Sequence, residues 1–489
     1  MRLQNLSAVF GSEPIEICRA LQAAGFDAVI VGGPVRDALR GEVPNDVDIA
    51  TSARPDQIRR VFSRTFVQGS GERHGTIGVI GDSGQTYEVT TYRHDLETDG
   101  RHARVQFADR LEDDLLRRDF TINAIAIRPL PDQDEGEIVD PYGGVADLEL
   151  GIIRAVGDPA QRFREDFLRI VRAVRFAGRF DFVIHPRTWQ AMLGQERGLA
   201  TLSRERIRDE MIKIAVQTNR PGGVYDSYRK LHEVGVFRVF IPELAACDGV
   251  TQNHHHGYDV LDHMLHAADV AAQFRAGDWR FVLAALLHDV GKPLTRSVGA
   301  DGVVHFYGHE RVGAEIVNRL LGARGLALSN TDREWIRSLV AHHMDLLQLP
   351  LETITQKQIR RLWARLNKDA PAITPRDLAD FRYVDKAASG IAEKAISLST
   401  IQRFYDLVAE IERERAALRL SDLAINGHDV MERLGLQRGG PIVGEVLQQL
   451  LKLVVERPEL NTRERLLAMV DTIARKERAH SHRKSPLKP

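Results

Sequence analysis

Two hydrophobic rhythms divide the chain. In the first 150 residues apolar positions come in short β-branched runs, AVIVGG, TIGVIG and TINAIAI, punctuated by Gly32-Gly33, Gly69 to Gly71, Gly81 to Gly84 and Gly143-Gly144. Short runs bounded by glycine predict strands, alternating here with a few helices. From about residue 160 to about residue 478 the spacing turns helical. Phe163, Phe167, Ile170, Val171 and Val174 recur on one side of a predicted helix while arginines take the other.

The breaker-rich segment CDGVTQNHHHGYD, Cys247 to Asp259, is the strongest internal boundary, with His254, His255 and His256 read as loop residues. Predicted helices beyond it carry His263, His288-Asp289 and His342-His343, and the proline-containing KDAPAITPRD precedes Asp385. The last fifteen residues hold six Lys or Arg against one Glu, which predicts a frayed basic tail. The expected divisions are 1–150, 151–250, 251–390, 391–478 and a disordered 479–489.

Composition narrows the class. A length of 489 residues suggests about two to four domains. Hydrophobic residues at 43% and charged residues at 28% suit a globular chain. A formal charge of −1 excludes both a globally basic nucleic-acid coat and an acidic disordered chain. Only Cys18 and Cys247 are present, too few for a disulfide framework or a thiolate zinc site. The longest apolar runs, such as Phe281 to Leu287, fall short of the roughly 20 residues of a membrane helix, and charges interrupt the first apolar positions. These features lead to the expectation of a cytoplasmic protein with no membrane partner.

Charge is nonetheless unevenly placed. From Gln161 to Arg179 six arginines face two acids. Upstream, AVIVGGPVRDALRGEVPNDVDIAT predicts a strand, a Gly-Gly turn, a helix start, and a second strand carrying Asp46 and Asp48. Residues two apart on a strand share a face, so both carboxylates would converge on one point, and such hard oxygen ligands suit magnesium that also holds phosphates. The Gly32-Gly33 turn lets backbone amides approach an anion, and Arg36 adds fixed charge there. Glu88, on the predicted strand TYEVTTY, is the candidate third acid. Asp166, Arg169, Arg172 and Arg175 lie three apart and are predicted to spiral along one helix side; an Asp beside an Arg offers a nucleobase edge both acceptor and donor.

Taken together, these motifs resemble the signature of the poly(A) polymerase and tRNA nucleotidyltransferase superfamily. Arg117, Arg118, Asp119 and Asn123 in DDLLRRDFTINAIAI are similar to its second motif. EIVDPYGGVADL is similar to the stretch closing its catalytic domain, and REDFLRIVRAVRFAGRF to its Glu-Asp-x-x-Arg motif with its trailing arginines. The segments HGTIGVI and EVTTYRHDLETDGRHARVQF, with a loop near Asp95 to Arg101, look like the bacterial class II CCA-adding branch. The resemblance implies an α+β fold: an N-terminal nucleotidyltransferase α/β head with a small mixed sheet, then an all-α neck, body and HD-type helical domain. It further implies addition of CMP and AMP, from CTP and ATP, to the tRNA 3′ end by two-metal nucleotidyl transfer with Mg2+. Asp46, Asp48 and Glu88 would be catalytic, and Asp166 and Arg169 would template the base. Arg172, Arg175, Arg118, Gly33 and Arg36 would meet the triphosphate, with Asp119 and Asn123 completing the nucleotide-binding set.

LLHDVGKP resembles the HD-domain phosphohydrolases, whose helical bundles bring imidazole and carboxylate to a divalent metal. That resemblance implies His263, His288, Asp289 and Asp385 as ligands, with His309 and His342 left for a second metal or a substrate phosphate. Such a donor set suits manganese, nickel, iron or magnesium. Alternatives open at this level are an A-adding or CC-adding tRNA enzyme, a bacterial poly(A) polymerase, and an HD phosphohydrolase with an inactive head. A non-catalytic RNA-binding adaptor is a further one. Monomer and homodimer are both open, and no role is legible for residues 391–478.

Overall fold

The computed structural model describes residues 1–67, 75–98, 103–218, 220–252, 257–347, 349–391 and 396–483. His254 to His256, the tip of the Asp95 to Arg101 loop and the end of the tail lie outside that set. Two compact units emerge, one of Met1–Ala245 with Gly325–Ala327, the other of Ala246–Arg324 with Leu328–Pro489.

The first unit opens with a mixed sheet. Its strands are β1 (Arg2–Gln4), β2 (Ala28–Val31), β3 (Ile49–Thr51), β4 (Thr65–Phe66), β5 (Thr76–Ile80) and β6 (Thr86–Thr91), with β9 (Ala126–Pro129) and β10 (Glu135–Val139). They lie in the order β1-β10-β9-β2-β3-β6-β5-β4, antiparallel except for β3 beside β6. A separate antiparallel ribbon joins β7 (Arg93–Thr98) to β8 (Ala103–Phe107). The AVIV run is buried throughout because β2 is central. Ala28 and Ile30 enter one core with Leu6, Leu21 and Ile127, whereas Val29 and Val31 enter another with Tyr92, Leu111 and Leu115.

Asp46 and Asp48 are not on a strand, contrary to the expectation above. They lie in the turn that leads into β3, and only the Asp48 carbonyl extends the ladder, accepting from the Val31 amide at 3.0 Å. Pairing with β2 begins only there, so the segment Glu42 to Val47 stays outside the ladder.

The expected single helix over Phe163 to Val174 is also two. A helix at Pro159–Glu165 stops at Asp166, whose backbone is extended, and a second runs over Leu168–Phe180. Asp166 accepts from the Leu168 amide at 3.0 Å, so its carboxylate satisfies a donor at the start of the second helix. Ile170, Val171 and Val174 are fully buried as the spacing required.

The second unit is helical. Val260–Phe274, Trp279–Leu287, His309–Leu320, Asn330–His342 and Pro375–Ala387 pack together, and Phe281 lies edge-on to both Trp335 and Phe381. Gly427–Leu434, Pro441–Glu456 and Arg463–Arg483 enclose a further core around Val446, Leu450, Leu466 and Val470. The final helix continues through Arg483, beyond the residue 478 at which the pattern placed its end. Among the described residues no helix is long and apolar enough to cross a membrane.

Candidate active site and metal centre

In the first unit a cavity of about 500 Å³ collects Gly33, Arg36, Asp48, Arg118, Asp119, Asn123, Asp166, Arg169, Arg172 and Arg175. Every nucleotide-contact residue singled out from the sequence therefore lines one space. Arg117, Phe176, Arg179 and Arg206 join them. Arg206 carried no local signal, because it comes from the separate helix Arg204–Gln217; Arg179 is the last of the arginines that trail the Glu-Asp-x-x-Arg motif, about one turn beyond Arg175.

The acidic edge forms where β3 meets β6. Ile49 is in register with Val89, which sets Asp48 beside Glu88 one step earlier on the same sheet edge. Desolvation raises the Asp48 carboxyl above its ordinary range; Arg118 opposes this, while the like charges of Glu88 and Asp46 add to it. A carboxylate crowded by two others is relieved by a cation, so the donor set fits a hard divalent metal.

Gly32 shows why the turn is glycine. Its φ is +85°, and a Cβ there would sit 2.5 Å from Nη1 of Arg118. Arg118 thus brings its Nη1 up against the turn, with its buried Nε lacking a hydrogen-bond partner and one Nη 3.4 Å from Asp114.

Behind the wall runs a buried polar chain. Arg36 donates to Asn123, Asn123 donates to Asp119 at 2.9 Å, and Asp119 receives Arg172 at 2.8 Å. Burial alone would raise Asp119, yet Arg172, Asn123 and the Phe120 amide bring it down to about 2. Asp119 and Asn123 thus brace the arginines from behind. Arg175 is buried and paired with Glu210 at 2.5 Å. Arg169 is held by Glu165 at 2.8 Å and by the carbonyls of Arg162 and Arg117. Asp166 is held by Arg206 at 2.7 Å.

The second unit brings its histidines to one buried point. His263 Nε2 lies 3.0 Å from Asp385 and 3.7 Å from Asp289, and His288 Nε2 lies 3.1 Å from Asp289. The other Asp289 oxygen faces His309 at 3.2 Å and His343 at 3.9 Å. His343, not His342, completes this set, which corrects the expectation. The helix ends at His342, which turns outward to Asp345 at 2.9 Å, while His343 continues inward. Adjacent histidines on a helical turn point about 100° apart, and only packing decides which faces in.

All four inward histidines hold a backbone carbonyl through Nδ1: Ala388, Ala285, Phe306 and Val340 at 3.3, 2.9, 2.8 and 2.7 Å. An Nδ1 proton committed to a carbonyl leaves Nε2 free to donate its lone pair, as metal-bound imidazole requires. Two groups are close enough to share a cation, His263–His288–Asp289 and Asp289–His309–His343. Asp289 Oδ2, the oxygen that faces His288, is also 2.6 Å from Lys292 Nζ, so imidazole and ammonium groups crowd the carboxylate that a metal would share. Despite burial, Asp289 and Asp385 push His288 up to about 10, whereas burial beside His288 and His309 pushes His343 down to about 3. A cation would compete with the His288 proton for the same lone pair.

Fold and sites define a chain that joins a nucleotidyltransferase head to a helical unit with a candidate metal centre of HD type. Independent family models agree: the poly A polymerase head domain matches residues 28–154 and the HD domain residues 260–379. A probable RNA- and SrmB-binding site of polymerase A matches 181–248, and a putative tRNA nucleotidyltransferase domain 2 matches 341–470. The chain belongs to the class II branch of the tRNA nucleotidyltransferase and poly(A) polymerase family, with an HD domain. It is 42% identical over 218 residues to the CCA-adding enzyme of Lactobacillus johnsonii, covering 44% of this chain and 52% of that protein. The Enterococcus faecalis CCA-adding enzyme is 41% identical over 251 residues, covering 49% and 60%. The chain thus spans about half the length of the curated relatives it matches. A crystal structure of the Bacillus stearothermophilus CCA-adding enzyme in complex with CTP superposes with a TM-score of 0.63 at 28% identity, covering 96% of this chain and 98% of that one.

Proposed function

We propose that the protein adds CMP and AMP, from CTP and ATP, to the 3′ end of tRNA. One observation carries the reading: a single cavity is lined both by Asp48 of the acidic edge and by the Asp166–Arg169 pair with its arginine wall. A base that meets Asp166 and Arg169 presents them with an exocyclic amine and a ring acceptor, which cytosine and adenine share and uracil does not. Glu165 and Arg206 hold those two side chains in fixed orientation. Arg118 and Arg172, with Gly33 and Arg36 at the turn, receive the triphosphate.

Asp46 and Asp48, with Glu88 alongside, would hold Mg2+, which supplies positive charge for the attacking 3′-hydroxyl and the departing pyrophosphate. The chain's own contribution is positioning: a base edge fixed at one end of the cavity and anionic oxygens fixed at the other.

The test is direct. The protein is incubated with tRNA lacking A, CA or CCA, with CTP, ATP or both, and products are resolved to single nucleotides. Addition that stops at CCA supports the reading. An A-only or CC-only product makes it a partial enzyme, a long A ladder makes it a poly(A) polymerase, and no addition overturns it.

The HD centre supports a second activity, because imidazole Nε2 atoms and carboxylate oxygens converge there in groups that fit a divalent metal, which would activate water against a phosphoester. His263, His288, Asp289 and Asp385 are proposed as ligands, with His309 and His343 around the second position. Protein stripped of metal and supplied with Mn2+ or Ni2+ is expected to cleave a 2′,3′-cyclic phosphodiester; no cleavage with any added metal overturns this.

A further inference from the structure

The arginines of the cavity wall are held in two different ways. Arg36, Arg172 and Arg175 each have a carboxylate: Asp37 at 2.7 Å, Asp119 at 2.7 Å and Glu210 at 2.5 Å. Each of those pairs fixes a guanidinium but cancels most of its charge. Arg179 lines the same cavity and has no carboxylate partner among the described residues. Its guanidinium lies 4.8 Å from the centre of the Phe180 ring. Arg36, whose ionisation is disfavoured first by burial and further by the nearby Arg179 charge, stands on the same ring at 4.8 Å. Phe180 is buried and stacks almost parallel on Phe176, at 5.8 Å and 5°.

An aromatic face orients a cation without neutralising it. We infer that Arg179, held by the face of Phe180, delivers an uncancelled positive charge to the β- and γ-phosphates of the nucleotide, and that Phe180 is its positioning residue. This rests on the nucleotidyl-transfer reading above. Distal phosphates are the assigned target because Asp166 and Arg169 take the base. Arg179 lies ten residues beyond Arg169 along the same helix, about 15 Å away at 1.5 Å per residue. Phe180 also touches Arg36 and Arg40, but Arg36 has Asp37 and Asn123, and Arg40 has Glu42, to keep them in place. Among the described residues Arg179 has the ring alone.

The experiment measures dissociation constants of CTP, CDP and CMP with magnesium on the full chain. Arg179→Gln is expected to weaken CTP about tenfold and CMP less than about twofold, since the lost charge faces only the distal phosphates. Phe180→Leu keeps the apolar volume and removes the ring face; it is expected to weaken CTP by roughly 3- to 30-fold, the range of a cation–π contact, again sparing CMP. Phe180→Tyr should bind CTP like the unaltered protein. In the Arg179→Gln background, Phe180→Leu should add nothing, which separates positioning of Arg179 from a general loss of packing. Equal weakening of CTP and CMP, or a Phe180→Leu effect that persists without Arg179, overturns the inference and leaves the function standing. Failure of the unaltered protein to bind CTP overturns both.

Discussion

In the head, charge is spread along an open wall. Arg36, Arg169, Arg172 and Arg175 each keep a neighbouring acid and face a cavity of about 500 Å³. In the helical unit charge is concentrated instead: four imidazoles and two carboxylates meet where His263 is 0% and Asp289 2% exposed. An open wall suits a large, changing anion such as a nucleotide, since each side chain gives up part of its hydration and regains it from phosphate or base. A buried cluster suits a small permanent cation, because unpaired charge at that depth is too costly to leave uncompensated.

Breaking each centre separately gives the largest expected effects. Asp48→Ala should lower incorporation of labelled CMP and AMP into tRNA by roughly a thousand-fold, the loss expected when a metal's charge stabilisation is removed. The metal content of the helical unit should not change. Asp289→Asn should do the converse. Its two oxygens face the two halves of the cluster, so bound metal measured after purification should fall to a small fraction, with CMP addition altered by less than about twofold. Loss of both activities from either change would mean the centres are not independent.

Next in size is the pair His343→Ala and His342→Ala. Removing an inward imidazole should weaken metal binding by about 10- to 100-fold, the size seen for groups that hold or orient metal ligands. Removing the outward one should cost nothing measurable beyond its contact with Asp345. Equal effects would restore His342 to the ligand set.

That pair also marks where the sequence stopped being legible. The nucleotidyltransferase head is built from contiguous motifs, so Asp48, Arg118, Asp166 and Arg172 could be assigned from resemblance, although only Arg172 lies within a regular helix. Three details escaped. The break at Asp166 depends on a carboxylate capping the next helix, Arg206 arrives from a distant segment, and the choice between His342 and His343 depends on packing around Phe381, 5.8 Å from the His343 ring. Each is a tertiary decision that local periodicity does not encode. Asp46 and Asp48 escaped differently: their convergence was expected from a strand, yet the turn before β3 sets Asp48 beside Glu88 through register alone.

The smallest expected effect tests whether the head's buried polar chain serves stability as well as binding. Asp119 titrates near 2 in the fold, against about 3.9 for an unperturbed aspartate. Because its folded value is depressed, its contribution is fully present above about pH 4 and is lost as pH falls toward 2. The shift corresponds to about 2 kcal/mol. Acid unfolding followed by circular dichroism should therefore show Asp119→Asn less stable than the unaltered protein at pH 6 by about that amount. The gap should close between pH 4 and pH 2, since the amide cannot ionise. A gap that stays constant over that interval would mean that the fold does not favour the charged carboxylate, so that neither Arg172 nor the hydrogen bonds from Asn123 and the Phe120 amide depress its ionisation.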